Sequence, residues 1–317
     1  MLITVFTPTY NRAHLLPRLY DSLCKQTFKD FEWLIVDDGS VDDTTSVVDQ
    51  LIIDNGQLII GCSDEGNSAE QNENQLSIIN CQLSIRYLYQ KNGGKHRAIN
   101  RGVKEARGEL FFIVDSDDSL TENALELIAA YYSHIKDDNT VAGLGFMRCN
   151  EFGVKIGSPL DFETLKCNAF ELTYQHHASG DMAEVFRTEI LKDIPFPEYD
   201  GEKFCPEALV WFRIADRYNM LWVNKCIYIC KYLEGGLTSK IVRIRMDSPH
   251  TAALLYAEQL QRNIPLKVKL KSALSYWRFA FCNKKISFGK KIREISLEYA
   301  LLFPIGYMIH LHDKLRY

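Results

Sequence analysis

The sequence predicts an α/β protein with a mostly parallel sheet, flanked by helices and followed by a helical extension at the C-terminus. Short apolar runs alternate with helix-like segments over residues 2–120, and one of these runs ends in three carboxylates within four positions. Beyond about residue 245 only helical patterns remain. Alternating strands and helices are typical of a parallel sheet with right-handed crossovers. We therefore expect an α/β domain over residues 1–245 and a basic helical region over residues 246–317.

The first two predicted strands are each followed by a polar loop and a helix. Residues 2–7 form a β-rich apolar run, and leucines at helical spacing then mark a helix over residues 14–25. Residues 31–36 repeat the pattern, and the loop Asp37-Asp-Gly-Ser40 leads into a helix from about residue 42. Both loops follow the carboxyl end of a strand, which is the edge where open α/β sheets bind ligands.

A third unit combines a strand over residues 85–89 with a glycine-rich turn and a helix that runs to about Ala106. Gly93 and Gly94 allow the backbone to approach a ligand closely. Lys95 follows them at the start of the helix, where the helix dipole disfavours a cation. A bound anion would explain this placement, and a solvated lysine is the alternative.

The fourth strand, over residues 109–114, ends in an acidic segment that contains Asp115, Asp117 and Asp118. Neighbouring carboxylates repel one another unless a cation lies between them. Mn²⁺ and Mg²⁺ take carboxylate oxygens from proteins and share their other positions with phosphate and water. The segment therefore indicates a divalent metal site, with an acidic loop that caps the next helix as the alternative.

Residues 55–84 interrupt the alternation with a polar stretch rich in Asn, Gln, Ser and Glu. Within it, Gln75-Leu-Ser-Ile-Ile-Asn-Cys81 is followed at once by the similar segment Gln82-Leu-Ser-Ile85. This echo is too short for a coiled coil. We expect a low-complexity insertion in a surface loop.

The C-terminal region is basic and is expected to contain helices over residues 251–261, 267–281 and 290–315. Residues 266–317 carry 11 Lys or Arg against 3 Asp or Glu, although the whole chain of 317 residues has a net charge of −4. Such a tail indicates an anionic partner, either a membrane surface or a nucleic acid. Its lysines alternate with aromatic and aliphatic residues, as in interfacial membrane helices. A helical hairpin packed on the domain is the alternative.

The cysteines and the N-terminus indicate a cytoplasmic protein. Nine cysteines are an odd number without a Cys-x-x-Cys pair, which argues against a disulfide framework and against a zinc ribbon. The N-terminus lacks a basic region and soon meets Pro8, so it is expected to be a first strand rather than a signal peptide. No apolar window reaches the roughly 18 residues of a membrane span.

Four of the segments described above are informative when they are considered together and in chain order. They are Thr7-Pro-Thr-Tyr-Asn-Arg12, Val36-Asp-Asp-Gly-Ser40, Asn92-Gly-Gly-Lys95 with the residues up to Glu109, and Val114-Asp-Ser-Asp-Asp118. With this set the chain resembles the family 2 glycosyltransferases of GT-A fold, which move a sugar from a nucleotide-sugar donor to an acceptor. The resemblance covers residues 1–120 well, residues 121–240 loosely and the tail hardly at all.

The resemblance implies a role for several residues near the nucleotide, with UDP as the expected nucleotide. Pro8 and Tyr10 would flank the base, and Asp38 would hydrogen-bond it. Lys95 would lie near the base or the pyrophosphate, and Asp115 would lie near the ribose.

The resemblance also implies a metal-dependent hexosyltransferase, with Mn²⁺ or Mg²⁺ as the cofactor. Asp117 would bind the ion that bridges the two phosphates of the donor, and Asp118 would contact either the metal or the sugar. Departure of a nucleoside diphosphate builds negative charge on the pyrophosphate, and a fixed divalent ion stabilises this charge as a Lewis acid.

An inverting transfer further needs a carboxylate that takes the proton of the acceptor hydroxyl. The segment from Gly201 to Trp211 resembles the acidic region of the family, and Glu207 in it is the first candidate. The family often has Asp at the next position, where this chain has Ala208, and Asp181 is the reserve candidate. The alternative role for Glu207 is to stabilise the N-terminus of a helix without taking part in chemistry.

We expect from the resemblance a cytoplasmic enzyme of cell-envelope polysaccharide synthesis, peripheral at the inner face of the membrane. Its acceptor would be a glycan or a lipid-linked molecule. A non-catalytic nucleotide-sugar or glycan binding module on the same fold is the alternative, because Ala208 replaces an expected acid. A nucleic-acid binder that uses the basic tail is a weaker hypothesis.

Overall fold

The computed structural model describes residues 1–56, 83–231 and 237–316, with the backbone alone for residues 237–239. The insertion predicted over residues 55–84 lies almost entirely outside the described residues. Its two ends meet, because the Asn55 side chain donates to the Leu83 carbonyl at 2.7 Å and accepts from the Leu83 N–H at 3.0 Å. The insertion therefore leaves and re-enters the domain at one point.

The described part of the chain forms a nine-stranded sheet. Its strands are β1 (Ile3–Thr9), β2 (Phe31–Asp37), β3 (Ser84–Tyr89), β4 (Leu110–Ile113), β5 (Ser119–Leu120), β6 (Val141–Asn150), β7 (Thr164–Cys167), β8 (Met182–Arg187) and β9 (Asn219–Cys230). The strand order is β3-β2-β1-β4-β8-β6-β9-β5, and β7 also pairs with β9.

One half of the sheet is parallel, as the sequence predicts. Strands β3, β2, β1 and β4 run in the same direction, and every residue of β1 and β2 is buried. Strand β8 then joins β4 in the antiparallel direction, and the remaining strands pair in both directions. The α/β fold is confirmed. The sequence did not predict the antiparallel strands, because an apolar pattern does not encode the direction of a strand.

Helices cover both faces of the sheet and continue beyond it. They are α1 (Leu16–Cys24), α2 (Thr44–Gly56), α3 (Lys95–Glu105), α4 (Ala124–Ser133), α5 (Ala169–Tyr174), α6 (Thr188–Asp193), α7 (Glu207–Ala215), α8 (Leu237–Asp247), α9 (Pro249–Gln261), α10 (Leu266–Ala280), α11 (Phe288–Arg293), α12 (Leu297–Ala300) and α13 (Phe303–Arg316). Leu19 of α1 and Ile128 of α4 pack on one face of the sheet. Ile99 of α3 and Leu209 of α7 pack on the other face. The carboxyl edge of the parallel strands is left between these two layers.

The last predicted helix, over residues 290–315, is wrong as a single element. The structure divides this stretch into α11, α12 and α13, with breaks after Arg293 and Ala300. Pro304 lies in the first turn of α13, and a proline lacks the N–H that a helix interior needs. The helices form a third core of their own around Trp277, whose indole N–H donates to the Tyr299 carbonyl at 3.1 Å. In the described ranges, no helix is both long and apolar enough to cross a membrane.

Candidate active site

Three of the predicted site residues meet at the carboxyl edge of the parallel strands. The Lys95 ammonium lies 2.6 Å from Asp115 Oδ1 and 2.8 Å from Glu207 Oε1. Lys95 opens α3, Asp115 follows β4, and Glu207 opens α7, so three separate elements contribute to one cluster. The sequence motifs alone could not show that Glu207 joins this group.

The Lys95 cluster is held together by strong electrostatic interactions. Burial opposes the charge of Lys95, but the carboxylates of Asp115 and Glu207 outweigh it and raise the pKa of Lys95 above its usual range. Burial likewise acts against the charged form of Asp115, and Lys95 overcomes it, so the pKa of Asp115 is lowered. These two protein carboxylates supply the anionic partner that the position of Lys95 at a helix N-terminus requires.

The turn before Lys95 is fixed by Asp38. Its carboxylate accepts hydrogen bonds from the backbone N–H groups of Gly93 and Gly94, at 2.9 and 2.6 Å, and from the Gln90 amide at 2.8 Å. A carboxylate offers about four acceptor positions, so three are taken by the protein. Asp38 is buried, and its predicted contact with the nucleotide base would use the position that remains.

Pro8 and Tyr10 lie beside this turn at the end of β1. Pro8 is buried within the strand, whereas Tyr10 is 47% exposed just beyond it. An exposed aromatic ring at the carboxyl edge of a parallel sheet is suited to stacking on a flat heterocycle. This geometry is compatible with the predicted contacts to the base.

Asp117 pairs with Arg12, which the sequence motifs contained but did not single out. Arg12 Nη1 lies 2.6 Å from Asp117 Oδ2. The loop that presents Arg12 is well defined, because Asn11 has a positive φ of 53° and exchanges hydrogen bonds with the loop after β2. Arg12 thus brings a second cation to the cleft beside Lys95.

Asp118 is directed away from Asp117 and into the protein. It is 8% exposed, and its oxygens accept hydrogen bonds from the Tyr228 hydroxyl at 2.8 Å and from the Lys231 N–H at 3.1 Å. Burial raises the pKa of Asp118 to about 6. These contacts give Asp118 a part in joining β9 to the acidic segment, and its role at the metal or the sugar stays a prediction.

The residues fit a metal that is completed by the donor rather than a protein cage. No group of three or more His, Cys, Asp or Glu side chains in the described ranges is arranged to hold an ion. Asp117 is the acid that fits best, because its side chain is partly exposed and, within the described part of the chain, Arg12 is the one cation that pairs with it. Mg²⁺ and similar ions are commonly held by one or two carboxylates together with substrate phosphates.

Glu184 and Arg148 are functional candidates that the sequence analysis missed. Burial raises the pKa of Glu184 to about 7; Arg148 opposes this rise, and Glu207 and Asp181 add to it. Arg148 extends from β6 over the ring of Tyr228, with 4.5 Å between its guanidinium carbon and the ring centroid. Asp181, the reserve candidate, is exposed and has no direct contact with the Lys95 cluster among the described contacts.

Glu207 stands at the start of a helix and also faces the Lys95 cluster. It is the first residue of α7 after Pro206, where a carboxylate stabilises the helix N-terminus, and its side chain also contacts Lys95. Ala208 packs against the apolar cluster on this face of the sheet. An acid at position 208 would lie against apolar side chains in this chain.

Comparison with known proteins gives a family match. The model of the family described as "Glycosyl transferase family 2" matches residues 4–69 and 62–194. The Campylobacter jejuni GalNAc(5)-diNAcBac-PP-undecaprenol beta-1,3-glucosyltransferase is 29% identical over 295 residues, covering 90% of this chain and 83% of its own length. The Staphylococcus aureus poly(ribitol-phosphate) beta-N-acetylglucosaminyltransferase TarS is 28% identical over 246 residues, covering 74% of this chain and 36% of its own length.

Solved structures share the fold. The crystal structure of S. aureus TarS 1–349 in complex with UDP-GlcNAc matches with a TM-score of 0.57 and 22% identity, covering 96% of this chain and 79% of that chain. The mannosyltransferase PcManGT from Pyrobaculum calidifontis, in complex with GDP-Man and Mn²⁺, matches with a TM-score of 0.53 and 17% identity, covering 99% and 81%. At these identities the likeness establishes a GT-A-type α/β fold for the chain.

Proposed function

The chain belongs to glycosyl transferase family 2, and on that premise we propose that it transfers a sugar from a nucleotide-sugar donor to a hydroxyl group of its acceptor. The observation that carries the proposal is the meeting of Lys95, Asp115 and Glu207 at the carboxyl edge of the parallel strands. This edge is where open α/β sheets bind nucleotides. The cluster offers a carboxylate to a hydroxyl group and a cation to a phosphate within one small region.

We propose that the donor is a UDP-sugar whose base binds beside Tyr10 and Asp38. The exposed ring of Tyr10 and the remaining acceptor position of Asp38 support this proposal. Asp115 would contact the ribose, and Lys95 and Arg12 would lie near the diphosphate. The UDP-GlcNAc in the TarS structure supports UDP as the nucleotide.

A divalent ion, Mn²⁺ or Mg²⁺, would be held by Asp117 together with the donor phosphates. When it is bound, such an ion stabilises as a Lewis acid the negative charge that develops on the departing diphosphate. Arg12 now pairs with Asp117, and it would exchange that carboxylate for a phosphate oxygen when the donor enters. The Mn²⁺ in the PcManGT complex supports a metal on this fold.

Glu207 is the proposed general base of an inverting reaction. The acceptor hydroxyl would give its proton to Glu207 as its oxygen forms a bond to the anomeric carbon of the sugar. The bond from that carbon to the diphosphate breaks on the opposite face, and the leaving group takes the electron pair. Lys95 would orient Glu207 through their 2.8 Å contact. Asp181 stays the reserve candidate.

The acceptor class proposed here is a glycan or a lipid-linked molecule. The C. jejuni relative is named for an undecaprenol-linked acceptor, and TarS is named for poly(ribitol-phosphate). This chain spans most of the first relative but about a third of the second. The acceptor is therefore a proposal and does not follow from the names of these relatives. A peripheral position at the cytoplasmic face of the membrane in cell-envelope synthesis belongs to the same proposal.

The test is release of nucleoside diphosphate from a panel of nucleotide sugars, with Mn²⁺ and with a chelator, in the presence of glycan and lipid-linked acceptors. We expect release from a UDP-sugar that is lost with the chelator and in Asp117→Asn. The exposed acid at position 137 offers a control, and Asp137→Asn should retain release.

Two results would contradict the proposal. Donor binding without release under all conditions would favour the non-catalytic binding module. Undiminished release in Asp117→Asn, or in the presence of the chelator, would show that the reaction does not need a metal held by Asp117.

A further inference from the structure

Helix α13 and the turn before it expose a row of apolar side chains. The exposed apolar stripe consists of Leu301 in the turn before α13 and of Ile305, Met308, Leu311 and Leu315 in the helix, with exposed fractions of 71, 45, 61, 40 and 90%. By contrast, only Gly306 and Asp313 of α13 are buried. A helix on a soluble domain usually turns its apolar stripe toward the core. Helix α13 therefore leaves part of its apolar surface exposed.

This orientation is fixed by two specific contacts. A Cβ on Gly306 would lie 2.3 Å from Cβ of Trp277, so the glycine permits close approach of α13 to α10. On the same side, Asp313 forms an ion pair with Arg278, with 2.8 Å between Asp313 Oδ1 and Arg278 Nη2. These contacts hold the apolar stripe outward.

The stripe has the spacing of a single helix face and extends onto a neighbouring helix. Successive members are separated by three or four positions, which places them one above another along the helix. Leu297 of α12 is 72% exposed and continues the apolar surface. Contiguous exposed apolar patches of this kind mark sites of interaction with proteins or membranes.

Basic side chains border the apolar stripe at both of its ends. Lys284, Lys285, Lys290 and Arg293 are exposed on and before α11, and Lys314 is exposed near the end of α13. The first group lies on and before an element that packs against the start of α13, because the rings of Phe288 in α11 and Phe303 in α13 lie 5.3 Å apart. An apolar centre with a basic border is complementary to a bilayer that carries anionic headgroups.

We propose that α12 and α13 are a docking surface for an anionic phospholipid bilayer, on which the helices lie in the plane of the interface. A second copy of the chain is a poorer occupant, because a symmetric contact would bring the basic borders of the two copies together. The docking surface rests on the proposed function only where the acceptor is taken to be lipid-linked.

Sedimentation with vesicles tests the docking surface directly. The full chain is mixed with vesicles of phosphatidylcholine alone and with vesicles in which a third of the lipid is phosphatidylglycerol. We expect binding to the anionic vesicles and little binding to the neutral ones. The charge variant Lys284→Gln, Lys285→Gln, Lys290→Gln should weaken binding by about a hundredfold, given about a fivefold contribution from each lysine.

The apolar stripe is tested with Leu301→Gln and Met308→Gln, which change exposed positions and should leave the fold intact by circular dichroism. The double variant should bind anionic vesicles at least tenfold more weakly than the native chain. Phe152→Gln is the matched control, because Phe152 is 82% exposed but lies in the α/β domain. It should bind vesicles as the native chain does.

Three outcomes would overturn the docking surface: no binding to either vesicle, equal binding by the double variant, or self-association through this face without vesicle binding. Affinity for UDP is measured on the same samples and should be equal in all of them. If no UDP binds while vesicles do, the proposed function fails and the docking surface stands. If UDP binds while vesicles do not, the docking surface fails and the proposed function stands.

Discussion

At the scale of single residues, the candidate site depends on two cations that neutralise neighbouring acids from different parts of the chain. Lys95 joins Asp115 and Glu207, and Arg12 holds Asp117. Like charges this close would otherwise repel one another. The two cations therefore allow the acids to approach one another.

Glu184 should make the stability of the protein depend on pH. Its pKa is about 7 in the folded state and 4.5 as the ordinary value, because burial disfavours the charged form. The folded state thus binds the extra proton between these values, and this contribution to the free energy of unfolding is lost as pH rises from 4.5 to 7. Glu184→Gln should remove the loss, so the variant gains up to about 3 kcal/mol over the native chain across this range.

Urea unfolding across this pH range, with a chelator present, measures the effect. Glu151→Gln is the control, because Glu151 is exposed on a turn, and its stability curve should run parallel to that of the native chain. A parallel curve for Glu184→Gln as well would contradict the buried environment described for Glu184.

At the scale of elements, the turn from β3 to α3 sets the position of Lys95. Gly94 has φ 98° and ψ 154°, a region that is accessible essentially to glycine alone. A Cβ at this position would lie 1.9 Å from the Lys203 carbonyl oxygen. Position 94 therefore has to be glycine, both because of its backbone conformation and because of its close approach to the segment that precedes α7.

Gly94→Ala should lower the free energy of unfolding by about 3 kcal/mol or more, because it combines backbone strain with a clash. Gly201→Ala separates the two causes. Gly201 has φ 84° with nothing within 4 Å of a Cβ, so its substitution should cost about 1 to 2 kcal/mol. Denaturant unfolding measures both variants, and equal losses would show that the contact with Lys203 does not constrain the turn.

Elements differ in how well the sequence predicts them. Strands β1, β2 and β4 are apolar runs with clear ends, and the sequence locates them to within two residues. The division of residues 290–315 into three helices was missed because hydrophobic spacing continues across the breaks, and only Pro304 signals one of them. The orientation of α13 depends on Gly306 and on the Asp313–Arg278 pair, which are tertiary contacts that no local pattern contains.

At the scale of the whole molecule, the α/β domain and the helical extension were predicted from composition and alternation alone. The site was predicted in part. Motifs after the strands identified Lys95, Asp115 and Asp117, because the carboxyl ends of parallel strands meet at one edge. Arg148 and Glu184 come from β6 and β8, whose place in the sheet follows from antiparallel pairing that the patterns did not reveal.

The sequence likewise could not predict the surroundings of Asp118, because the acidic motif does not distinguish this residue from its neighbours. Its direction is decided by Tyr228 on β9, 110 positions further along the chain. The structure thus divides an acidic motif into acids that pair with cations in the cleft and one that joins strands.

The measurement that tests the central claim most directly is sugar transfer by Glu207→Gln, with donor binding followed on the same samples. A positioned base contributes about 10² to 10⁴ in rate. We therefore expect transfer to fall by about that factor while donor affinity changes little, because Glu207 would act on the acceptor. Transfer at the native rate by Glu207→Gln, above all together with a loss of transfer in Asp181→Asn, would contradict the account.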